Sequence, residues 1–494
     1  MNSKINKLKD FFFKNKTSRQ TIAKNVFWLS MGQIAGRLIR ALFIIYAARL
    51  LGATEYGVFS YALGLAGFFT IFADIGINQI LTKEASQKPE KASIYFATSF
   101  WIKTVLLLGT IILVIFVAPH FSKIESAKII IPFVAILVIF DNLRELSNAF
   151  FRAKEKMELE AFVNVLMNIS IALIGIVILY YFSSAKAVTF SYIGSAGAGL
   201  FTAVFILREE FSKIISNFDR KLVRPILKSA WPIALSGLLG AFMLNVDIIM
   251  LGWIRSAQEI GFYSAGQKII QLFYVLPTII ASAIFPILSR TVGKKQHQKA
   301  TLIIEKGMTI ILSLAIPLVI GGIILGKPII NFLYGNEYLP GALSFQVLLL
   351  TILIVFPQIL LGNLVLVYNK QKKIAGYMFF ASISNIVFNA LLIPKFGIIG
   401  AAIATVIVQI SYNILIWNMI KKVSHFKTLK NLKKIFLASI IMGIISFFLN
   451  KIGIHLIINI TISAGFYLGL LFILKEKILE EGLILFKKSP ENSN

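Results

Sequence analysis

The chain of 494 residues has no cysteine, only four histidines, and just 22 acidic residues against 50 lysines and arginines. Without cysteine there are no disulfides, no thiolate metal sites and no cysteine nucleophile. The histidines (His120, His297, His425 and His455) fall in loops or at the end of an apolar stretch, and no two have metal-ligand spacing. Long polar connections are scarce too. On one side of the expected membrane the longest is the short segment from Pro119 to Ala127. A membrane ligase or glycosyltransferase needs a sizeable aqueous loop for its chemistry, so no enzyme is expected. The largest loop on the other side, 208–228, is basic and lacks a Gly-rich phosphate cradle, which excludes a nucleotide-driven pump on this chain. Gly194, Gly197 and Gly199 lie within an apolar run and read as close helix packing. No cofactor is expected.

What the chain has is apolar surface. Hydrophobic residues make up 57% of it and charged residues 15%, with a mean hydropathy of +0.81. A water-soluble domain could not bury so much, whereas a bilayer can, one span needing about 20 mostly apolar residues. Fourteen such stretches occur, at 25–49, 57–81, 93–118, 128–151, 160–182, 188–207, 229–253, 261–287, 302–326, 340–367, 374–394, 398–420, 435–451 and 455–474. The fold class expected is therefore an all-α integral membrane protein with about 14 transmembrane helices. Internal Pro277, Pro317 and Pro357 are tolerated in such helices.

Charge in the connections sets the orientation. Counted on alternate sides, 36 Lys and Arg fall on one side and 8 on the other, with 6 inside the stretches. The positive-inside rule then places both termini in the cytoplasm of a multi-pass cell-membrane protein. The net charge of +28 has the same origin. It sits in loops beside anionic lipid headgroups, and no soluble domain is present to carry it to nucleic acid.

The sequence also repeats. Ala53-Thr54-Glu55-Tyr56-Gly57-Val58-Phe59-Ser60 returns as Ala257-Gln258-Glu259-Ile260-Gly261-Phe262-Tyr263-Ser264. Phe151-Arg152-Ala153-Lys154-Glu155-Lys156 is echoed by Tyr368-Asn369-Lys370-Gln371-Lys372-Lys373, each before a span with a polar Asn (Asn168, Asn385). Two six-helix lobes in a parallel pseudo-repeat follow, an arrangement typical of secondary transporters. The expected organisation is a basic cytoplasmic tail (1–24), an N-lobe (25–215), a C-lobe (216–425), two further C-terminal helices (426–474) and a cytoplasmic tail (475–494). Glu55 and Glu259 sit in turns and read as helix caps.

Arg49-Leu50-Leu51-Gly52-Ala53-Thr54-Glu55-Tyr56-Gly57 resembles the first outside turn of polysaccharide flippases. This is the Wzx-like branch of the superfamily that also holds multidrug (MATE) exporters and the lipid II flippase. Phe72-Ala73-Asp74-Ile75-Gly76-Ile77, Asn245-Val246-Asp247-Ile248-Ile249-Met250-Leu251-Gly252, Phe285-Pro286-Ile287-Leu288-Ser289-Arg290 and Tyr334-Gly335-Asn336-Glu337-Tyr338 are similar in order and spacing over about 20–420. Lys83 stands where that family often has Arg. The resemblance implies a two-lobed bundle opening alternately to either side. It implies a polyprenyl-pyrophosphate-linked oligosaccharide as cargo, carried to the outer leaflet for surface polysaccharide synthesis, with membrane lipids and a polymerase or assembly protein as partners. A cation-coupled multidrug antiporter and a lipid II flippase are the alternatives.

Charges inside the spans point to the site. At the bilayer centre each costs roughly 2.5–3.5 kcal/mol on insertion scales, so such residues face a cavity or a partner. Arg37 lies about 18 Å along the first span at 1.5 Å per residue. Gln33 and Arg40 share its face. Lys103 lies at similar depth, and the fourth span carries Asp141, Arg144, Glu145 and Asn148 on one face. Arginine binds phosphate bidentately, so Arg37, Arg40, Lys103 and Arg144 are the candidates for holding a pyrophosphate. Gln33, Asn148, Asn245, Gln267, Lys268 and Gln271 are the candidate polar cavity, facing sugar hydroxyls. Asp74, Asp141, Glu145 and Asp247 are candidates for coupling to H+ or Na+. Asp247 comes first among these, since its span holds no cation at helical spacing. Fixed ion pairs, Arg144 with Asp141 or Arg37 with Asp74, are the competing structural reading.

Overall fold

The computed structural model describes residues 18–424, 426 and 432–474. Most of the expected basic tail at 1–24 and the whole tail at 475–494 lie outside the described residues. Every described element is helical, as a bilayer requires of chains that must satisfy their own backbone groups. Apart from short turns and the five-residue helix Arg208–Ser212, they are in order α1 (Ser18–Phe69), α2 (Ile77–Gln87), α3 (Ala92–Ile112), α4 (Glu125–Ala153), α5 (Met157–Tyr181), α6 (Ala185–Ile206), α7 (Arg220–Ile254), α8 (Ala257–Phe273), α9 (Val275–Gly293), α10 (His297–Ile324), α11 (Gly326–Tyr334), α12 (Ala342–Val367), α13 (Gln371–Lys421), α14 (Lys433–Lys451) and α15 (Leu456–Ile473).

Eleven helices are long and apolar enough to cross a membrane, twelve if the bent pair Phe27–Ala73 and Ile77–Gln87 counts as one span. The expected fourteen are not reached this way, because two pairs of stretches are each joined into one long helix. The first and second stretches merge in α1, with Gly52 at φ 70° as the break. The eleventh and twelfth merge in α13, with Gly397 at φ 57°. A side chain at Gly400 would collide with the Leu392 carbonyl. In a continuous helix those residues would stand about 12 Å apart, so the chain folds back at Gly397. Positive φ is open to glycine at little cost.

The chain forms two compact units with the break after Gly261. In the first, the connections gather at two opposite ends. At one end Lys24 Nζ lies 2.9 Å from Glu158, Lys154 Nζ lies 2.7 Å from Glu210, and Asp219 N donates to Thr98 Oγ1 at 3.1 Å. At the other, Glu55 Oε2 accepts from Ala185 N at 2.7 Å, and Tyr61 Oη donates to the Phe121 carbonyl at 3.1 Å. Connections expected on the basic side thus meet at one end, and the others meet opposite. Both glutamates expected as caps do cap. Glu55 places a carboxylate at the start of α6, where the helix dipole favours it. Glu259 and Ser256 bond each other's backbone N–H reciprocally, each at 3.3 Å, a capping box opening α8.

The repeated motif is also a contact. A Cβ on Gly57 would strike the backbone of Ala257, and a Cβ on Gly261 the backbone of Ala53. The two Ala-x-x-x-Gly copies cross reciprocally, with no side chain between them, as small residues allow in membranes.

In the second unit α14 and α15 pack on α10 through Ile316, Ile435, Ala438, Met442, Tyr467 and Leu471. Tyr467 Oη donates to the Ser313 carbonyl at 2.6 Å. Asn363 Nδ2 donates to the Ala281 carbonyl at 3.0 Å and Asn413 Nδ2 to that of Ile354 at 2.7 Å, so polar amides tie apolar helices where no water competes.

Candidate functional site

The first unit holds a polar seam. On α4, Asp141, Arg144, Glu145, Asn148 and Arg152 recur at three- and four-residue spacing and so line one face. The Arg144 guanidinium is 7% exposed and lies 3.2 Å from Asp141 and 2.9 Å from Glu145. It also donates to Asn164 Oδ1 of α5. Asn148 Nδ2 bridges Glu145 and Asn164, at 3.3 Å each. Arg152 joins Glu145 at 3.5 Å to Glu160 of α5 at 2.6 Å. From α1, Arg40 Nε donates to Asn168 Oδ1 at 3.0 Å, and Asn168 Nδ2 donates to the Asn164 carbonyl at 2.6 Å. Three helices are therefore cross-linked by one network.

Two buried atoms of that seam, Arg144 Nε and Asn148 Oδ1, have no hydrogen-bond partner among the described residues. An unpaired buried donor or acceptor costs about 1–3 kcal/mol, so groups of this kind mark places where something else binds. Of the four candidate cations only Arg37 is exposed, together with Gln33 on its face. An arginine exposed midway along a span has no favourable contact with hydrocarbon, which argues that it faces water or a polar ligand.

Lys103 is placed differently. It is 0% exposed, 3.5 Å from Asp74, and donates to Asn78 Oδ1 at 3.0 Å. Asp74 in turn accepts from Asn78 N at 3.3 Å and from Asn78 Nδ2 at 2.9 Å, which caps the start of α2. Asp74 pairs with Lys103, not with Arg37, whereas Arg144 does pair with Asp141. Removing one partner of a buried pair leaves the other uncompensated. Lys103→Met is expected to cost about 3 kcal/mol, and adding Asp74→Asn should recover most of it. A double-mutant cycle on thermal unfolding in detergent measures the coupling, and an additive cycle would contradict the pairing.

The remaining candidates are dispersed. Asn245 of α7 lies beside Gly64 and Gly67 of α1 and donates to the Ala241 carbonyl at 2.9 Å. Asp247 is buried. In the second unit, Lys268 Nζ donates to Gln271 Oε1 at 3.4 Å, and Gln267 Oε1 is buried without a hydrogen-bond partner among the described residues. Asn78, Asn164, Arg152 and Glu160 belong to the clusters, but the asparagines carry no charge and Arg152 and Glu160 stand at the ends of apolar stretches, so none marks a charge deep within a span. The one available signal was the i, i+4 pair Asn164 and Asn168 inside an apolar span.

An all-α membrane fold with arginines and carboxylates at mid-span is the architecture of a transporter. The comparisons with known proteins agree. The lipid II flippase MurJ in an inward closed conformation superimposes with a TM-score of 0.74 at 19% identity, covering 92% of this chain and 99% of that one. Residues 22–292, more than half of the chain, match the family described as polysaccharide biosynthesis protein, and the chain belongs to that family. Residues 232–391 match the family MatE. The probable low-salt glycan biosynthesis flippase Agl15 of Haloferax volcanii is 22% identical over 387 residues, 78% of this chain and 80% of that protein. The capsular polysaccharide biosynthesis protein CapF of Staphylococcus aureus is 23% identical over 399 residues, 78% and 96% of the two chains.

Proposed function

We propose that this protein carries lipid-pyrophosphate-linked oligosaccharide from the inner to the outer leaflet of the cell membrane by alternating access, in the assembly of a surface polysaccharide. The observation that carries this reading is the arginine content of the seam. Arg37 is exposed on α1, Arg40 of the same helix is tied through Asn168 and Asn164 to Arg144, and Arg144 keeps an unused buried donor. A drug-cation antiporter needs the reverse, a cavity whose free groups are acidic or aromatic. Here Asp141 and Glu145 are already paired with arginine.

In the proposed cycle Arg37 and Arg40 are the groups that meet the pyrophosphate at mid-span, and Arg144 Nε completes its coordination. Lys103 acts indirectly, holding the Asp74 bend in place. Polar groups such as Gln33 and Asn148 face the sugar, while the polyprenyl chain stays in lipid. Coupling to H+ or Na+ falls to the carboxylates, Asp247 foremost, because it is buried where ion capture changes local charge most. The basic end of the first unit faces the cytoplasm by the positive-inside rule, and the termini with it. A polysaccharide polymerase or assembly protein would receive the product.

Changing Arg37→Gln and Arg40→Gln together is expected to lower surface glycan at least tenfold in cells holding normal amounts of the protein. Unchanged glycan at normal protein level would sink the assignment of these residues.

A further inference from the structure

The opening turns of α7 carry a feature that the mid-span seam does not use. Arg220, Arg224 and Lys228 recur at i, i+4 and i+8 and so share one face. All three are exposed. With Phe218, Val223 and Leu227 they line a cleft of about 910 Å³. No carboxylate pairs with any of them among the described residues. The nearest acid in sequence, Asp219, is occupied in capping the helix, its Oδ1 accepting from Lys221 N at 2.9 Å.

We propose that this cleft is a docking site for the pyrophosphate headgroup of a membrane lipid, occupied before the headgroup reaches the arginines at mid-span. The assignment rests on the transport function proposed above. Three cations within about 12 Å of helix, at 1.5 Å per residue, and without counter-charges, call for an anion. A phosphodiester lipid brings one negative charge and a pyrophosphate diester two, so the pyrophosphate matches the cleft better. Arginine forks fit its oxygens in pairs. The anion is tied to a lipid because half of the lining is apolar. The same face also continues into Trp231, 67% exposed, a residue type that sits at the boundary of headgroups and hydrocarbon.

Its place in the fold gives the cleft a purpose. The opposite face of α7 is buried through Ile226 and Ala230 in the core around Ile77 and Leu81. A Cβ on Gly76 would meet Ile233 and the Ala230 carbonyl. The helix that presents the cations at the basic end therefore packs, one turn further on, against the bend that holds Asp74, the partner of Lys103.

The test uses the full-length protein in phosphatidylcholine nanodiscs with a photoreactive polyprenyl pyrophosphate, crosslinked sites being mapped by mass spectrometry. Crosslinks are expected within 218–231. They should fall at least tenfold in the triple variant Arg220→Gln, Arg224→Gln, Lys228→Gln, and persist in Arg220→Lys, Arg224→Lys, which keeps the charge. Thermal unfolding confirms that the variants are folded, and mapping the unaltered protein requires no variant. The absence of crosslinks in this segment of the unaltered protein overturns the proposal. Suppression by an equal mole fraction of phosphatidylglycerol assigns the cleft to ordinary anionic lipid, and equal competition by inorganic pyrophosphate removes the lipid from the assignment; either result overturns it. Because crosslinking needs no transport, docking without flipping would count against the proposed function alone. Flipping by a triple variant that crosslinks as well as the unaltered protein would count against the docking site alone.

Discussion

Arg144→Leu is expected to destabilise the protein by about 3 kcal/mol, the lower end of the range for removing one partner from a buried charge pair because Asp141 and Glu145 are 42% and 38% exposed, and to abolish transport. The guanidinium neutralises Asp141 and Glu145 and ties α4 to Asn164 of α5. Leucine fills only part of its volume and leaves two carboxylates one turn apart at mid-span, with only Arg152 still in contact with one of them. The second change Glu145→Gln should therefore restore a large part of the stability without restoring transport, since the arginine donors stay missing. Thermal unfolding of the purified single and double variants, beside a transport assay on each, separates the two effects. A variant Arg144→Leu as stable as the parent would mean that the seam does not carry the charge balance described for it.

A comparable loss is expected at the crossing of the two repeat copies. Gly57→Val puts three carbons where the Ala257 backbone already stands, and Gly261→Val does the same against Ala53. Backbone cannot rotate aside as a side chain does, so the cost belongs at the upper end for overpacking, about 3 kcal/mol. Gly109 is the control. A Cβ there would meet nothing within 4 Å. Gly109→Ala should be neutral or slightly stabilising, since alanine gains about 0.5–1 kcal/mol over glycine within a helix. Equal effects at Gly57 and Gly109 would contradict the crossing.

Much of this architecture is legible in the sequence because a bilayer imposes long apolar runs and biased loops, and both are local signals. Each of the fourteen stretches is largely helical, although 57–81 crosses the bend at Asp74 and 261–287 the break at Tyr274. What hydropathy could not show is where one helix carries two of them, because Gly397 looks like any other glycine until its φ is known. The repeat around Gly57 and Gly261 was visible as similarity, but nothing in it said that the two copies touch. The candidate site divides in the same way. Arg144 and Asp141 stand three residues apart on one helix, so their pairing could be read from spacing. Lys103 and Asp74 belong to different helices, and only the fold shows that the lysine is enclosed by Asp74 and Asn78 and unavailable to a ligand in this conformation. Asn164 has no charge to draw attention, yet it bonds both Arg144 and Asn148.

The most direct test of the transport function is transfer of a fluorescent polyprenyl-pyrophosphate sugar across proteoliposome membranes, read by quencher access from outside. Protein-dependent transfer that is lost in the Arg37→Gln, Arg40→Gln double variant is the expected result. Absence of transfer, with ethidium moving against an H+ or Na+ gradient in the same vesicles, would contradict it and make the protein a drug antiporter on the same fold.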